Sequence, residues 1–413
     1  MKILVSALES SSNLHLKEVL LHLAQETDHS NTHKTLEIIG IFDKQITQDF
    51  INKKTCSEYT QQNRVSTINI IANPSFDPKD FSVMGFSDVV RKLPFILYAQ
   101  KTLIKLAQDA DKILLMDSSS FHIPLARKIK QAAKHTGTKS PPIFYYILPQ
   151  LWAWKAWRAK ELERYCDKLL GILPFELTYY SEQARKSGQI CYVGHPLLDE
   201  IEEDLLEHRA RKLSSQQDNK PCLVFMPGSR KGEIERIFPI FYEVARALPN
   251  THKILVVPTI FARENLESIY ETSLATKGAL RDFEVCFNTK KALKMADFGF
   301  ICSGTATLEA ALLGVPFVLG YKSAMFDYYI AKMFVKIRYI GLANIFYNAL
   351  NNEPEGRGDS NMHIELLQQN LTKNKLLAAY HNANAQSFLD NAYKLRAYLK
   401  NGSALNVANI VRL

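Results

Sequence analysis

Two consecutive α/β halves, each organised around a doubly wound parallel sheet, are what this 413-residue sequence predicts. Three observations lead there. Short apolar runs alternate with helical stretches along almost the whole chain, the pattern of repeated strand–helix units. Many of the runs are continuous rather than alternating, as strands covered on both faces are. A polar stretch, Leu213-Ser214-Ser215-Gln216-Gln217-Asp218-Asn219-Lys220-Pro221, divides the series in two and reads as an interdomain linker.

The first series of strands falls at 2–7, 36–42, 66–71, 112–117, 142–148, 168–173 and 190–194, and the second at 222–226, 253–258, 283–287, 298–302 and 316–320. Helical periodicity marks 13–26, 88–109, 122–135, 197–213, 232–247, 262–276, 305–313, 326–338 and 374–399. These elements give a first domain over 1–213, a second over 222–375, and a C-terminal helical segment, 376–413, expected to pack back toward the first. The polar stretch 351–361 reads as a surface insertion. Ligands of open α/β sheets bind at the carboxyl ends of the strands. Two such halves facing a cleft would put the informative residues just after the strands.

Composition narrows the class. Hydrophobic residues make up 46% and charged residues 23%, which excludes a disordered chain, a collagen-like fibre and a simple coiled coil. The net charge of +9 favours an anionic partner, whether phosphate substrate, membrane surface or nucleic acid. Glycine is scarce, 17 of 413 residues or about 4% against a usual ~7%, so no glycine run announces a nucleotide site. Cys56, Cys166, Cys191, Cys222, Cys286 and Cys302 lie too far apart for a C-x-x-C site, and their usage fits a reducing compartment. The opening Met1-Lys2-Ile3-Leu4-Val5 is too short an apolar stretch for a signal peptide. Residues 298–321 are long and apolar enough to span a membrane, but Ser303-Gly304-Thr305 and Gly314-Val315-Pro316 break them into strand, turn, helix and strand.

Two strand-to-helix turns of the second half carry phosphate-binding chemistry. Gly228-Ser229-Arg230 follows a buried strand and feeds a helix. Free amides at a helix start, the dipole's positive end and a guanidinium suit a diphosphate, while an ordinary capped turn with an exposed Arg is the plain alternative. Ser303-Gly304-Thr305-Ala306 repeats the pattern, with Glu309 either at the ligand edge or a solvated surface charge. In the first half, the first strand leads into Leu8-Glu9-Ser10-Ser11-Ser12-Asn13, which lacks glycine and suits a side-chain-lined acceptor pocket. Another strand ends at Asp117, placed either for general-base work on a hydroxyl or to cap the helix that follows. Gln150, Trp152, Trp154 and Trp157 sit among Lys155, Arg158, Lys160 and Arg164, a mixture that suits a membrane interface or an amphiphilic ligand, or else a packed core with a solvated outer face. Residues 321–339 are similarly aromatic and basic. Asp109-Ala110-Asp111 lies at the wrong end of a strand for a metal, and His29 and His33 have no third ligand, so no metal site is assigned.

The ordered set of Met84-Gly85-Phe86, Pro149-Gln150-Leu151-Trp152-Ala153-Trp154, Ile172-Leu173-Pro174-Phe175-Glu176, Val193-Gly194-His195-Pro196-Leu197-Leu198-Asp199, Pro227-Gly228-Ser229-Arg230, Ser303-Gly304-Thr305-Ala306-Thr307-Leu308-Glu309 and Glu365-Leu366-Leu367-Gln368 resembles the lipid-A-disaccharide synthases, inverting glycosyltransferases of GT-B architecture. The resemblance runs from the first strand to about residue 370. It implies a UDP-activated 2,3-diacylglucosamine donor, a 2,3-diacylglucosamine 1-phosphate acceptor whose 6-hydroxyl attacks, and no cofactor. It also implies a cytoplasmic enzyme peripherally bound to the inner membrane of a Gram-negative bacterium, with a homodimer allowed.

The same resemblance places Asp117 as base with Glu9 as competitor, and Arg230 at the departing UDP. Gly228, Ser229, Ser303, Gly304, Thr305, Ala306, Glu309, Asn344 and Gln368 fall on the nucleotide-sugar side, with Glu365 on the ribose. Ser11, Met84, Gln150, Trp152, Trp154 and His195 fall on the acceptor side. The chain departs from the family pattern at 8–13, where Glu9 and Ser11 remain but both glycines are absent, at Ser120, and at Asp88. A nucleotide-sugar epimerase or a transferase to a peptidoglycan intermediate shares the expected architecture. A non-catalytic nucleotide- or membrane-binding module is disfavoured, because motifs occur in both halves. No stretch resembles a nucleic-acid module.

Overall fold

The computed structural model describes residues 1–24, 35–53, 69–81, 86–153, 155–202, 204–214, 220–274, 277–302, 304–323 and 338–413. The chain divides into two compact units, Met1–Asp199 with Leu399–Leu413, and Glu200–Tyr398.

The first unit holds seven parallel strands, β1 (Lys2–Ala7), β2 (Thr35–Ile41), β3 (Asn69–Phe76), β4 (Lys112–Met116), β5 (Ile143–Tyr146), β6 (Lys168–Gly171) and β7 (Ile190–Tyr192), in the order β3-β2-β1-β4-β5-β6-β7. The second holds β8 (Cys222–Met226), β9 (His252–Val256), β10 (Glu284–Cys286), β11 (Phe298–Ile301), β12 (Phe317–Tyr321) and β13 (Ile364–Leu367), also parallel, in the order β10-β9-β8-β11-β12-β13. Both are doubly wound sheets. The direction of winding reverses between β1 and β4 in one, and between β8 and β11 in the other.

The continuous apolar strands follow from this architecture. In β4, Ile113 and Leu115 pack with Leu103, Leu125 and Ile129 of the helices Phe86–Gln108 and Ser119–Thr136 on one face. Leu114 and Met116 point the other way, to Leu16, Leu20, Val407 and Val411 of the helices Ser10–Ala24 and Ser403–Arg412. Successive side chains face opposite sides, so a strand covered on both needs no polar alternation.

The last helix explains one of the motifs. Asp199 accepts hydrogen bonds from the amides of Gly402 (2.6 Å), Ser403 (3.2 Å) and Ala404 (2.8 Å), capping the helix Ser403–Arg412 from a distant segment. At its other end Lys112 Nζ donates to the Val411 and Arg412 carbonyls, where the helix dipole favours a cation. Gly194 sits at φ +95°, and a Cβ there would come within 2.8 Å of the Asn401 carbonyl. The run Gly194 to Asp199 is thus a seat for the chain end.

The boundaries differ from those read in sequence. The first unit ends at Asp199 rather than 213, because the helix Leu205–Ser214 is anchored in the second unit by Arg209, whose guanidinium donates to the carbonyls of Leu313 (2.8 Å), Ala296 (2.9 Å) and Leu293 (3.1 Å). The segment returning to the first unit is 399–413 rather than 376–413. The expected helix 374–399 is two, Lys373–His381 and Ala385–Leu399, parted around Asn382 and Asn384. Likewise 262–276 contracts to Leu266–Tyr270, and β13 is a strand the apolar pattern did not mark. The linker residues 215–219 and the stretch 326–337 lie outside the described residues. The 351–361 stretch closes on Glu353, whose carboxylate accepts from Ser360 N–H (3.0 Å) and Oγ (2.8 Å). No described helix is long and apolar enough to cross a membrane.

Candidate active site

In the first unit, strand register brings two loops together at the switch point. Ala7 of β1 pairs with Met116 of β4, so the chain leaves the sheet side by side at Leu8-Glu9 and at Asp117. Asp117 and Ser118 both adopt left-handed backbone, with φ 51° and 33°. Two consecutive non-glycine residues in that region are strained, and such strain needs surroundings that impose it.

The imposing contacts converge on one atom. The Asp117 carbonyl accepts from His122 Nδ1 (3.0 Å) and from the Tyr145 hydroxyl. His122 is fully buried, and burial lowers its pKa to about 4, so the ring is neutral. A carbonyl can only accept, which puts the proton on Nδ1 and leaves Nε2 to accept from Ser6 Oγ at 2.7 Å. The Asp117 amide donates to the Tyr146 carbonyl at 3.1 Å.

Held this way, the carboxylate is buried with only the Ser12 and Ser118 hydroxyls near it and no well-formed hydrogen bond. Both Asp117 carboxylate oxygens are buried without a hydrogen-bond partner among the described residues. Burial raises the carboxyl from 3.8 to about 6, opposed in part by the nearby Ser118 and Ser12 hydroxyls and reinforced by the charge of Glu9. The helix Ser119–Thr136 takes Ser118 as its cap residue and has no side-chain cap, so Asp117 does not serve the capping role that its spacing allowed.

Glu9 is exposed, and its backbone rather than its carboxylate is engaged. Ser12 Oγ accepts from the Glu9 amide (3.1 Å) and donates to its carbonyl (2.8 Å), while Asn13 Nδ2 donates to the same carbonyl at 2.8 Å. Ser12 and Asn13 thus hold this glycine-free turn by hydrogen bonds to the Glu9 backbone. Ser11 is exposed in the first turn of its helix.

In the second unit, Met226 of β8 pairs with Ile301 of β11, so the Pro227–Arg230 and Cys302–Thr305 turns also leave side by side at the switch point. The two turns differ. Gly228 sits at φ +134°, and a Cβ there would meet the Glu233 side chain at 2.7 Å. The Glu233 carboxylate accepts from the Ser229 amide (3.1 Å) and the Arg230 amide (3.3 Å). These are the donors expected to be free for a diphosphate, and an internal carboxylate occupies them. The Arg230 side chain is 83% exposed and only loosely paired with Glu233 at 3.7 Å. The helix Thr305–Leu312 has no side-chain cap at Gly304, which lies at φ +115° with open space where a Cβ would stand. Thr305 is exposed and Ala306 half-buried beside it, and Ser303 lies outside the described residues.

Several expected ligand residues make internal contacts. Asn344 is fully buried and spends all four hydrogen-bonding places. Its Nδ2 donates to the His363 carbonyl (3.0 Å) and Glu365 (2.8 Å), and its Oδ1 accepts from the Met362 (2.8 Å) and His363 (3.1 Å) amides. Glu365, expected at a ribose, instead accepts from the Ile340 (2.9 Å) and Gly341 (3.2 Å) amides as well as Asn344, and its side chain is 4% exposed. His195 is buried and accepts from the Leu197 amide at 3.3 Å in the seat for the chain end. Trp152 is 7% exposed and packs edge-on against Phe175 at 6.2 Å, so it belongs to the core.

Glu309 is not a solvated charge, since burial raises its pKa, with Lys290 opposing. Gln368 follows β13 and donates to Ser323 Oγ at 2.8 Å. Gln150 is exposed, and Met84 and Trp154 lie outside the described residues, as do His29 and His33. Sequence reasoning missed Ser6, His122 and Tyr145. The signal that could have found them is position, since Ser6 and Tyr145 lie in the strands flanking Asp117 and His122 one turn after it. Asp111 accepts from the Lys2 amide at 2.7 Å, a surface turn as expected, and no group of potential metal ligands occurs among the described residues.

The family model described as lipid-A-disaccharide synthetase matches residues 3–408. Lipid-A-disaccharide synthase of Helicobacter pylori (strain G27) is 44% identical over 411 residues, covering 98% of this chain and 97% of the relative. That of Campylobacter jejuni (strain RM1221) is 38% identical over 413 residues, covering 99% and 98%. Among solved structures, Acinetobacter baumannii MurG superposes with TM-score 0.52 at 13% identity, over 100% of this chain and 98% of that one. UDP-GlcNAc 2-epimerase from Neisseria meningitidis bound to UDP-GlcNAc gives 0.51 at 11%, over 100% and 98%. These two likenesses concern the fold, which is the GT-B architecture of two parallel-sheet α/β domains.

The Asp117 carboxyl makes stability depend on pH with a definite sign. Its folded pKa of about 6 lies above the ordinary 3.8, so the folded first unit loses stability as pH rises through that window, by roughly 3 kcal/mol at 1.36 kcal/mol per unit. Asp117→Asn is expected to flatten this slope and to raise the thermal midpoint at pH 7. An unchanged slope would show that the carboxyl is not buried alone.

Proposed function

Starting from the fact that this chain belongs to the lipid-A-disaccharide synthase family, glycosyltransferases of lipid A biosynthesis, we propose that Asp117 is the general base of the transfer. The observation that carries this is its buried, unpartnered carboxylate at the β1/β4 switch point. With a pKa of about 6 it is ionised at neutral pH, and no internal donor has to be displaced before it accepts a proton.

The proposed substrates are a UDP-activated 2,3-diacylglucosamine and 2,3-diacylglucosamine 1-phosphate. The acceptor's 6-oxygen forms a bond to the donor's anomeric carbon as its proton passes to Asp117. The bond from that carbon to the diphosphate oxygen breaks, and the electron pair leaves with UDP. Attack opposite the leaving group inverts the anomeric centre and gives a β-1,6 link. Charge developing on the diphosphate falls to the exposed Arg230 guanidinium and to the uncapped helix start at Gly304-Thr305-Ala306. Glu9 acts on Asp117 through its charge. Glu309, half-buried in the same helix as Thr305, is the remaining nucleotide-side carboxylate.

The proposal includes a membrane-facing surface, and its place differs from the expected 152–164. The helix Phe86–Gln108 exposes Leu93 (49%), Leu97 (50%) and Tyr98 (62%), alongside exposed Arg91, Lys101 and Lys105. An apolar stripe with cations beside it suits an anionic lipid surface at the inner membrane.

With both substrates and no added metal, wild type is expected to form the disaccharide. Asp117→Asn is expected to lower turnover by roughly 10²–10⁴-fold with UDP binding retained. Arg230→Ala is expected to lower it by roughly 10²-fold. Near-wild-type turnover in Asp117→Asn sinks the base assignment. Leu97→Glu is expected to reduce sedimentation with anionic phospholipid vesicles, and unchanged sedimentation removes this helix from the membrane surface.

A further inference from the structure

We infer that a small cavity beside the Asp117 loop seats the phosphomonoester group of the acceptor, an inference that rests on the glycosyl-transfer reading above. The cavity is an open hollow of about 200 Å³ whose polar lining is Ser119, Ser120, Arg127, Arg158 and Glu161, with Ile123, Pro124 and Trp157 as its apolar wall. Pockets that hold drug-sized ligands run to ~300–1,000 Å³, so this one fits a substituent rather than a whole acylated sugar.

The polar part of the lining suits an oxyanion. Two guanidiniums stand against one carboxylate, and two hydroxyls add neutral donors. Arg158 Nη1 donates to Ser119 Oγ at 2.7 Å, and its guanidinium carbon lies 5.9 Å from the Trp157 ring centre. The fork is therefore held in place before a ligand arrives, the geometry that favours bidentate contact with phosphate oxygens. Arg127 Nη1 stands 3.7 Å from Glu161 Oε1, a loose pairing that a phosphate dianion can outcompete. Trp157 is 60% exposed, a large flat apolar wall with no packing reason to be at the surface.

Position ties the cavity to the chemistry. Ser119 and Ser120 follow Asp117 by two and three residues, and at ~3.8 Å per residue the Ser119 Cα lies within about 8 Å of the Asp117 Cα. A phosphate seated at one end of a glucosamine ring leaves the hydroxyl at the other end within reach of the carboxylate. The cavity thus supplies register, deciding which hydroxyl meets the base.

The test compares two acceptors, 2,3-diacylglucosamine 1-phosphate and its phosphate-free counterpart, with the same UDP-sugar donor. Wild type is expected to favour the phosphorylated acceptor by roughly 10- to 100-fold in kcat/KM, the range of one or two charge-assisted hydrogen bonds. Arg158→Gln is expected to erase most of that ratio. Glu161→Gln, a conservative surface change, is expected to raise it by releasing Arg127. Inorganic phosphate is expected to inhibit only with the phosphorylated acceptor. Equal inhibition with both acceptors marks the cavity as a site for free phosphate and overturns the inference. So does transfer whose acceptor ratio is indifferent to both substitutions. Failure of wild type to transfer to either acceptor overturns the glycosyl-transfer reading and this inference with it.

Discussion

The site in the first unit depends on a single carbonyl oxygen, that of Asp117, held by a neutral His122 and by Tyr145. A left-handed turn at two non-glycine residues costs energy, of order 1–3 kcal/mol each, and unfolds to an ordinary turn unless the surroundings forbid it. The buried donors forbid it. The turn carries the Asp117 carboxylate away from the helix start it could have capped and into a place where it has no partner. Complete burial keeps the His122 ring neutral, with its Nδ1 proton turned to the Asp117 carbonyl. The stability given up at this loop is what makes the carboxyl available for chemistry.

The second unit uses the same topology with a different division of labour. Two helices start side by side at the β8/β11 switch point, yet only one start remains uncapped. Glu233 closes the amides after Gly228, which leaves Arg230 to act through its side chain alone. The helix after Gly304 has no side-chain cap, with open space where a side chain would stand. Glu365 and Asn344 build the frame behind that edge by satisfying each other and the amides of two neighbouring segments. Removing either would leave buried donors unmet, so loss of activity in such variants reports a lost frame rather than a lost ligand contact.

Much of this was legible in the sequence, because the information lies in strand composition. Fully buried strands read as continuous apolar runs, as many of these do, and twelve of the thirteen described strands were marked in the sequence. The exception, β13, is a four-residue edge strand with an exposed Ile364 and a glutamate inside it, so its apolar signal is short and broken. What composition could not tell was whether a polar side chain is spent internally. Asn344, Glu365 and His195 carry the same chemistry as ligand residues and differ only in what surrounds them. Trp152 packs inward against Phe175, since a tryptophan in an aromatic-basic stretch turns inward as readily as outward. Asp117 was legible as a candidate, but the reason it is left unpartnered lies in Tyr145, on a different strand.

The Asp117 carboxyl stands buried without a well-formed hydrogen bond, poised to take a proton near neutral pH. Its titration in the free protein tests this most directly, followed as the infrared carboxyl band in the difference between wild type and Asp117→Asn. The account predicts a protonated-carboxyl band that disappears with a midpoint near pH 6. A midpoint at or below the ordinary 3.8 would contradict it, because it would mean that the carboxylate is solvated or paired.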